Sequence, residues 1–484
     1  MWKVLLFLIL FISAPLSLAQ TDASGNDFFS QGMRPAFMAD VADFAEVPQY
    51  IFHLALIPDF TQAKLTGTLD LTYTNTTPDA LEALVFRLYA NLESFGGQAA
   101  VSNVTVNGVS VNGISDETGS IVTIPLPQPL LPGEKLSLLM DYAAVVFHGE
   151  QHLYNQFSYL ETELALASAL PLLSVYNPST GWWREVRHPR GDAVFSETAN
   201  FDVTLTAPSY LKVITSGSLI EQTESGGMVT LRYAAPLMRD FSIMASAQYE
   251  TLSSVFDDIQ VNVHYLPGKE NSAELAMQWV LDSMAAFTNA YGAYVYKELD
   301  LVETYTSAGG IEYPGLIVVA DDIWRLSDPY FQIVTVHEVA HQWWYSMVGN
   351  DQTLYPWLDE ALTEYSVAVY WRHVAGEDGY NTAIRTEQGR YREFEGDAGA
   401  MKIGFAPSDY NDVSYSSIVY GKGAYFFHVL SVAMGQENFA AAIQNYLESY
   451  RYRIATPFDL QSILEDAAGV QFDDLFLEWV GYSN

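Results

Sequence analysis

Cysteine is missing from all 484 residues. No disulfide can staple this chain, no thiolate can hold a metal, and no lipid can be carried on a cysteine. Any metal must therefore rest on histidine and carboxylate. Basic residues are scarce as well: 22 Lys and Arg face 58 Asp and Glu, for a net charge of -36. A field of that sign repels nucleic acid, which is not expected as a partner, and anionic membrane surfaces, and it favours solubility and cationic ligands. Long apolar runs are also wanting. The stretch Val4–Ile12 is too short for a bilayer span. With Lys3 ahead of it, and Ser13-Ala14-Pro15 and Ser17-Leu18-Ala19 behind, it reads as a cleavable secretory signal over residues 1–19. The mature protein is expected to be exported (secreted, periplasmic or extracellular) and to carry no membrane span.

What is present supports large folded cores. Hydrophobic residues make up 49% of the chain, and its length suits two to four domains. After a mixed, extended lead-in over 20–48, a two-residue period begins near Tyr50. Leu65, Leu69, Leu71 and Tyr73 fall on one face, with Thr68, Asp70 and Thr72 on the other. Asn107-Gly108 and Gly226-Gly227 mark hairpin turns. Residues 49–250 thus read as an antiparallel β-domain, interrupted at 151–190 by an irregular loop. From residue 251 to 484 the period turns largely helical. Ser327-Asp328-Pro329 starts a helix expected to run to Gly349, and Pro356 opens another that ends near Gly376. The fold class is multidomain α+β, a β-domain followed by a mainly helical one.

The chemistry concentrates at His337-Glu338-Val339-Ala340-His341. On a helix, His337 and His341 stand one turn apart on one face, so both rings reach a single ion. Glu360 follows in the next helix. Two imidazoles, one carboxylate and an open fourth position describe a catalytic zinc site. Glu338 diverges from that face by about 100° and is placed to move a proton from the water that the ion activates. Glu364 shares a face with Glu360. It is either a partner for the outer N–H of His337 or a solvated surface residue.

These residues carry a resemblance. His337-Glu338-Val339-Ala340-His341-Gln342-Trp343-Trp344 with Trp357-Leu358-Asp359-Glu360-Ala361 resembles the M1 family of zinc aminopeptidases, the gluzincins. Gly309-Gly310-Ile311-Glu312-Tyr313 is similar to the family's Gly-x-Met-Glu-Asn signature, and Tyr420-Gly421-Lys422-Gly423-Ala424 to its Tyr-x-Lys-Gly-Ala stretch. The resemblance implies a thermolysin-like catalytic domain, one Zn2+ per chain, and peptide substrates with a free N-terminus. It also implies that Glu312 holds the α-amine, that Gly309, Gly310 and Ile311 line the substrate path, and that Tyr420 donates to the oxyanion. Ile311, Tyr313, Asp359 and Ala361 depart from the family pattern, and 151–190 lacks the family's Gln-rich substrate segment. The chain ends near Leu475–Trp479 without the family's large C-terminal helical domain, which implies a cleft either open or roofed by a second copy. An open-cleft endopeptidase and a catalytically silent binding protein are the alternative readings.

Overall fold

The computed structural model describes residues 25–185, 188, 190–191, 194–398 and 400–482; the expected signal at 1–19 lies outside them. The alternating stretch becomes a sheet of eight strands. Within it Gln62–Thr74 pairs antiparallel with both Gln49–Pro58 and Lys135–Phe147. Leu65, Leu69, Leu71 and Tyr73 are buried while Lys64, Thr68 and Thr72 stay exposed, as a strand with one dry face requires. Asn107 and Gly108 both take positive φ and turn Gln98–Val106 into Val109–Ser110. One pairing departs from the antiparallel pattern: Gln49–Pro58 lies parallel to Ala199–Pro208. Such a pair needs a long crossover, and the chain between them supplies it.

Two further segments differ from expectation. The lead-in is not extended. It forms helical turns at Gly25–Phe29 and Asp40–Asp43, and buries Phe28, Phe29 and Met33. The 151–190 region is not wholly irregular, because Phe157–Leu160 and Glu163–Leu166 pair and extend a sheet through Ile243–Ser246.

The second half is built on a five-stranded sheet. Its strands are β1 (Glu250–Phe256), β2 (Ile259–Tyr265), β3 (Glu298–Thr304), β4 (Gly310–Tyr313) and β5 (Leu316–Ala320), in the order β1-β2-β3-β5-β4. β4 runs antiparallel to β5 and is the last strand of this sheet among the described residues. Helix α1 (Glu270–Ala290) packs on helix α2 (Pro329–Ala340) and on α3 (Trp357–Ala398). α3 is not one rod. Gly376, at φ 67° and ψ -164°, breaks it, and Glu364 and Arg390 then meet at 3.7 Å. A straight helix would hold them about 39 Å apart, so α3 is a helical hairpin. Helices α4 (Gly423–Met434) and α5 (Gln436–Tyr450) follow. Among the described residues no helix is long and apolar enough to cross a membrane.

α2 stops at Ala340, well short of the expected Gly349. The chain instead turns through Tyr345 at φ 130°, and Val348–Gly349 pairs with Arg453–Ile454. Backbone groups that a helix would have satisfied internally are met from that distant strand: Tyr452 N–H donates to the Met347 carbonyl, and Ala455 N–H to that of Gly349. Buried Arg239 locks the junction, donating to the carbonyls of Tyr345 (2.9 Å), Ser196 (3.3 Å) and Arg453 (2.5 Å).

Candidate active site

Helix α2 begins as its sequence requires. Asp328 accepts the Tyr330 N–H at 2.9 Å, and Pro329 occupies the first helical position, where no amide hydrogen is needed. The helix is buried from Val334 to its end, so His337, Glu338 and His341 are carried inside the protein. Glu360 arrives from the first turn of α3, where the helix dipole favours a carboxylate.

The tautomers follow from the partners. His337 Nδ1 faces Glu364 Oε2 at 2.7 Å, and His341 Nδ1 faces the Trp344 carbonyl at 2.9 Å. Both partners only accept, so both Nδ1 atoms carry hydrogen, and in the neutral rings that a metal would need both Nε2 atoms present lone pairs. His337 Nε2, His341 Nε2 and Glu360 Oε2 form a triangle with edges of 3.1, 3.2 and 3.3 Å. Ligands held about 2.0–2.1 Å from a tetrahedral zinc lie about 3.3–3.4 Å from one another. The triangle is therefore the right size to hold that ion.

The charges agree. Glu312, Glu338, Glu360 and Glu364 are all buried around the two rings. Burial disfavours charge on His337, yet Glu360 and Glu364 outweigh it and raise its pKa to about 10. His341 is raised too, Glu312 and Glu360 overcoming its burial. Burial alone would raise Glu360, but the two histidines hold it well below the usual carboxylate range. The cluster is short of positive charge, as a cation site should be. Glu338 is different: burial pushes it up to about 8, His337 opposing and Glu312 adding, and its Oε2 is buried with no hydrogen-bond partner among the described residues.

The other expected residues converge on this cluster. Gly309 takes φ +90°, a conformation costly for a side chain. At Gly310 a Cβ would stand 2.4 Å from Glu338 Oε1, so any side chain here would displace that carboxylate. Ile311 and Tyr313 pack in a small core of their own. Glu312 lines a recess of ≈ 10 Å³ with Gln156, Val194, Ile311, Tyr345 and Gln352. Tyr420 sits on a π-helical segment, Ser416–Lys422; its hydroxyl donates to Glu360 Oε1 at 2.5 Å and its ring stacks on His337. Gly423 presses α4 against α3, for a Cβ there would meet that of Ala361 at 2.4 Å. Glu364 is buried rather than solvated, and Arg390 reaches its other oxygen at 3.7 Å.

Two residues escape sequence reasoning. Gln156 comes from 151–190, and Gln352 donates to Glu312 Oε1 at 3.4 Å and to Asp359 Oδ2 at 2.7 Å. Neither belongs to a spaced motif; only the fold brings them to the site.

Residues 275–479 match the family described as Peptidase family M1 domain. Aminopeptidase M1-B of Oryza sativa subsp. japonica is 26% identical over 296 residues, covering 58% of this chain and 34% of its own length. Leucyl aminopeptidase of Saccharolobus solfataricus is 24% identical over 301 residues, with 58% and 38% covered. The chain thus spans about a third of the length of these curated relatives. Among solved structures, an M1 zinc metallopeptidase from Deinococcus radiodurans superposes with a TM-score of 0.65 at 17% identity, over 88% of this chain and 91% of that one. A two domain M1 zinc metallopeptidase bound to L-tryptophan gives a TM-score of 0.63 at 18% identity, over 88% and 92%. Residues 275–479 thus match the Peptidase family M1 domain, and the chain shares its β-plus-helical fold with M1 zinc metallopeptidases.

Proposed function

We propose that the protein is a zinc-dependent aminopeptidase that removes residues from the free N-termini of peptides. One observation carries this reading: Glu338 presents an unpartnered buried oxygen beside the His337–His341–Glu360 triangle, and Glu312 stands in a recess next to it. A zinc ion held by those three residues would polarise the scissile carbonyl and acidify a water molecule. Glu338 takes the proton of the attacking water and returns it to the leaving amine. The Tyr420 hydroxyl, one hydrogen bond from the triangle, donates to the oxyanion. β4, last in its sheet among the described residues, places the backbone of Gly310 and Ile311 alongside an extended peptide.

The Glu312 recess supports exopeptidase action over internal cleavage. At ≈ 10 Å³ it has about the room of one water-sized group, enough for an ammonium and too little for another residue. Gln156 and Gln352 flank Glu312 there, and Gln156 gives the 151–190 segment a place in the recess. Export through residues 1–19 belongs to the same proposal, resting on the signal-like sequence; the mass of the mature N-terminus tests it.

The decisive experiment compares one peptide with free and acetylated N-termini. The free form alone should be cleaved, with the activity lost to chelator and restored by zinc. Equal cleavage of both forms would replace this reading with an endopeptidase. Glu338→Gln should keep stoichiometric zinc and lose at least about 10²-fold in kcat.

A further inference from the structure

A second cavity, of ≈ 770 Å³, lies where the lead-in, the β-domain and the chain after α5 meet. None of His337, Glu338, His341, Glu360 or Glu312 lines it. Its volume falls within the range of about 300–1,000 Å³ common to small-molecule sites. Nothing in the aminopeptidase reading uses it.

The cavity holds a charge with no protein counter-ion in contact among the described residues. Glu197 lines it and is exposed to solvent, and among the described residues it takes part in no hydrogen bond or ion pair. Protein nonetheless crowds it: burial raises its carboxyl above the usual range, with Arg239 the opposing influence. Arg239 is not free to clasp it, since its guanidinium is committed to the carbonyls of Tyr345, Ser196 and Arg453. Arg453 lies over the Phe44 ring at 5.5 Å.

Around that carboxylate the walls are aromatic. Tyr50 and Tyr73 line the cavity and lie near enough for the Glu197 charge to raise their hydroxyl pKa values, burial being the larger cause. Trp182 stands 6.5 Å from the Tyr73 ring and 5.2 Å from that of Tyr176. Aromatic faces and carboxylates, Glu197 with Asp43 and Glu46 also on the lining, attract one class of ligand in common, a cation with hydrocarbon attached. Three carboxylates outnumber the Arg239 and Arg453 guanidiniums on the lining, which disfavours an anion, and a neutral apolar guest would strand Glu197 away from water.

We propose that this cavity is a second binding site, for a protonated amine or guanidinium carried on an apolar body, with Glu197 as its counter-charge and Tyr73 and Trp182 as its walls. The ligand is either a free amine or the basic side chain of a peptide. The net charge of -36 draws both toward the protein.

Calorimetric titration of the zinc-loaded full chain tests this with three probes: tryptamine, its uncharged analogue tryptophol, and N-acetyl-Ala-Arg-Ala-amide, whose blocked terminus cannot occupy the Glu312 recess. Tryptamine should bind, Glu197→Gln should weaken it about tenfold or more, and Trp182→Ala should weaken it while leaving the charge in place. Glu312→Gln should retain this binding, and Glu197→Gln should keep parental aminopeptidase activity and melting temperature. If the blocked peptide shows the same dependence on Glu197, the ligand is a peptide side chain; if only tryptamine does, it is a free amine. Equal affinity for tryptophol, or tryptamine binding that survives in Glu197→Gln, overturns the proposal. Loss of binding in Glu312→Gln alone overturns it too, by assigning the signal to the catalytic recess.

Discussion

Gly310 offers the sharpest test of how the site is set. A methyl group there would stand 2.4 Å from Glu338 Oε1 and 2.6 Å from Cδ and Cγ, where ordinary contact begins near 3.4 Å. The carboxylate must therefore retreat by about 1 Å in Gly310→Ala, and it can, because its Oε2 has no partner to lose. A retreat of that size costs little folding energy. A misplacement of about 1 Å in a reacting group, however, costs about 10²-fold in rate. Gly310→Ala should thus lower kcat by about two orders of magnitude on an aminoacyl 4-nitroanilide. Zinc stoichiometry should stay at one and the melting temperature within a few degrees of the parent. Parental kcat would refute the reasoning. So would a loss of activity that tracks loss of zinc, since β4 would then be supporting the metal rather than the base.

Other consequences are as direct. Glu364→Gln replaces the acceptor 2.7 Å from His337 Nδ1 and should weaken zinc affinity about 10–100-fold in a chelator competition; unchanged affinity would make Glu364 a bystander. Tyr420→Phe should cut kcat about 10²–10³-fold with little change in KM, measured on the same substrate. Arg239→Met removes a buried guanidinium that donates to three carbonyls, and urea unfolding should show a loss of roughly 3–5 kcal/mol. Glu163 supplies a pH test: burial, with Glu303 adding, pushes its carboxyl up to about 8, above an unfolded value of about 4.3. The folded state then holds the proton more tightly, so stability falls as pH rises from about 4.3 to about 8. Between pH 5 and 8.5 the parent should lose at least about 1.4 kcal/mol more than Glu163→Gln in urea unfolding.

The strand pattern was legible because alternation answers to one cause, a sheet with one dry face; Leu65 to Tyr73 could be assigned from the sequence alone. The helix starts at Asp328-Pro329 and Pro356 were legible through capping chemistry, which is local. The end of α2 was not. Trp343-Trp344-Tyr345 continues an apolar helical pattern, no glycine or asparagine announces the positive φ at Tyr345, and the strand that claims Val348–Gly349 comes a hundred residues later. The site divides the same way. His337, His341 and Glu360 announce themselves by spacing, whereas Gln156 and Gln352 are solitary amides that acquire meaning only once the β-domain is folded against β4. Short strands such as Phe157–Leu160 carry too few residues to show a period.

The break at Gly376 bears on how the protein opens. Glu364, on the near arm of the α3 hairpin, touches His337, and Arg390, on the far arm, reaches Glu364 and Glu387 at 3.7 and 3.3 Å. The far arm is thus tethered to the metal triangle through the Glu364 carboxylate, and Arg390 also lies over the Tyr420 ring at 5.8 Å. Any cation that fixes His337 also fixes the tether, so metal loading and ordering of residues 377–398 draw on one free energy. Amide hydrogens of that arm should exchange faster after chelation while those of the eight-stranded sheet keep their protection, which would make the hairpin the protein's own gauge of metal occupancy.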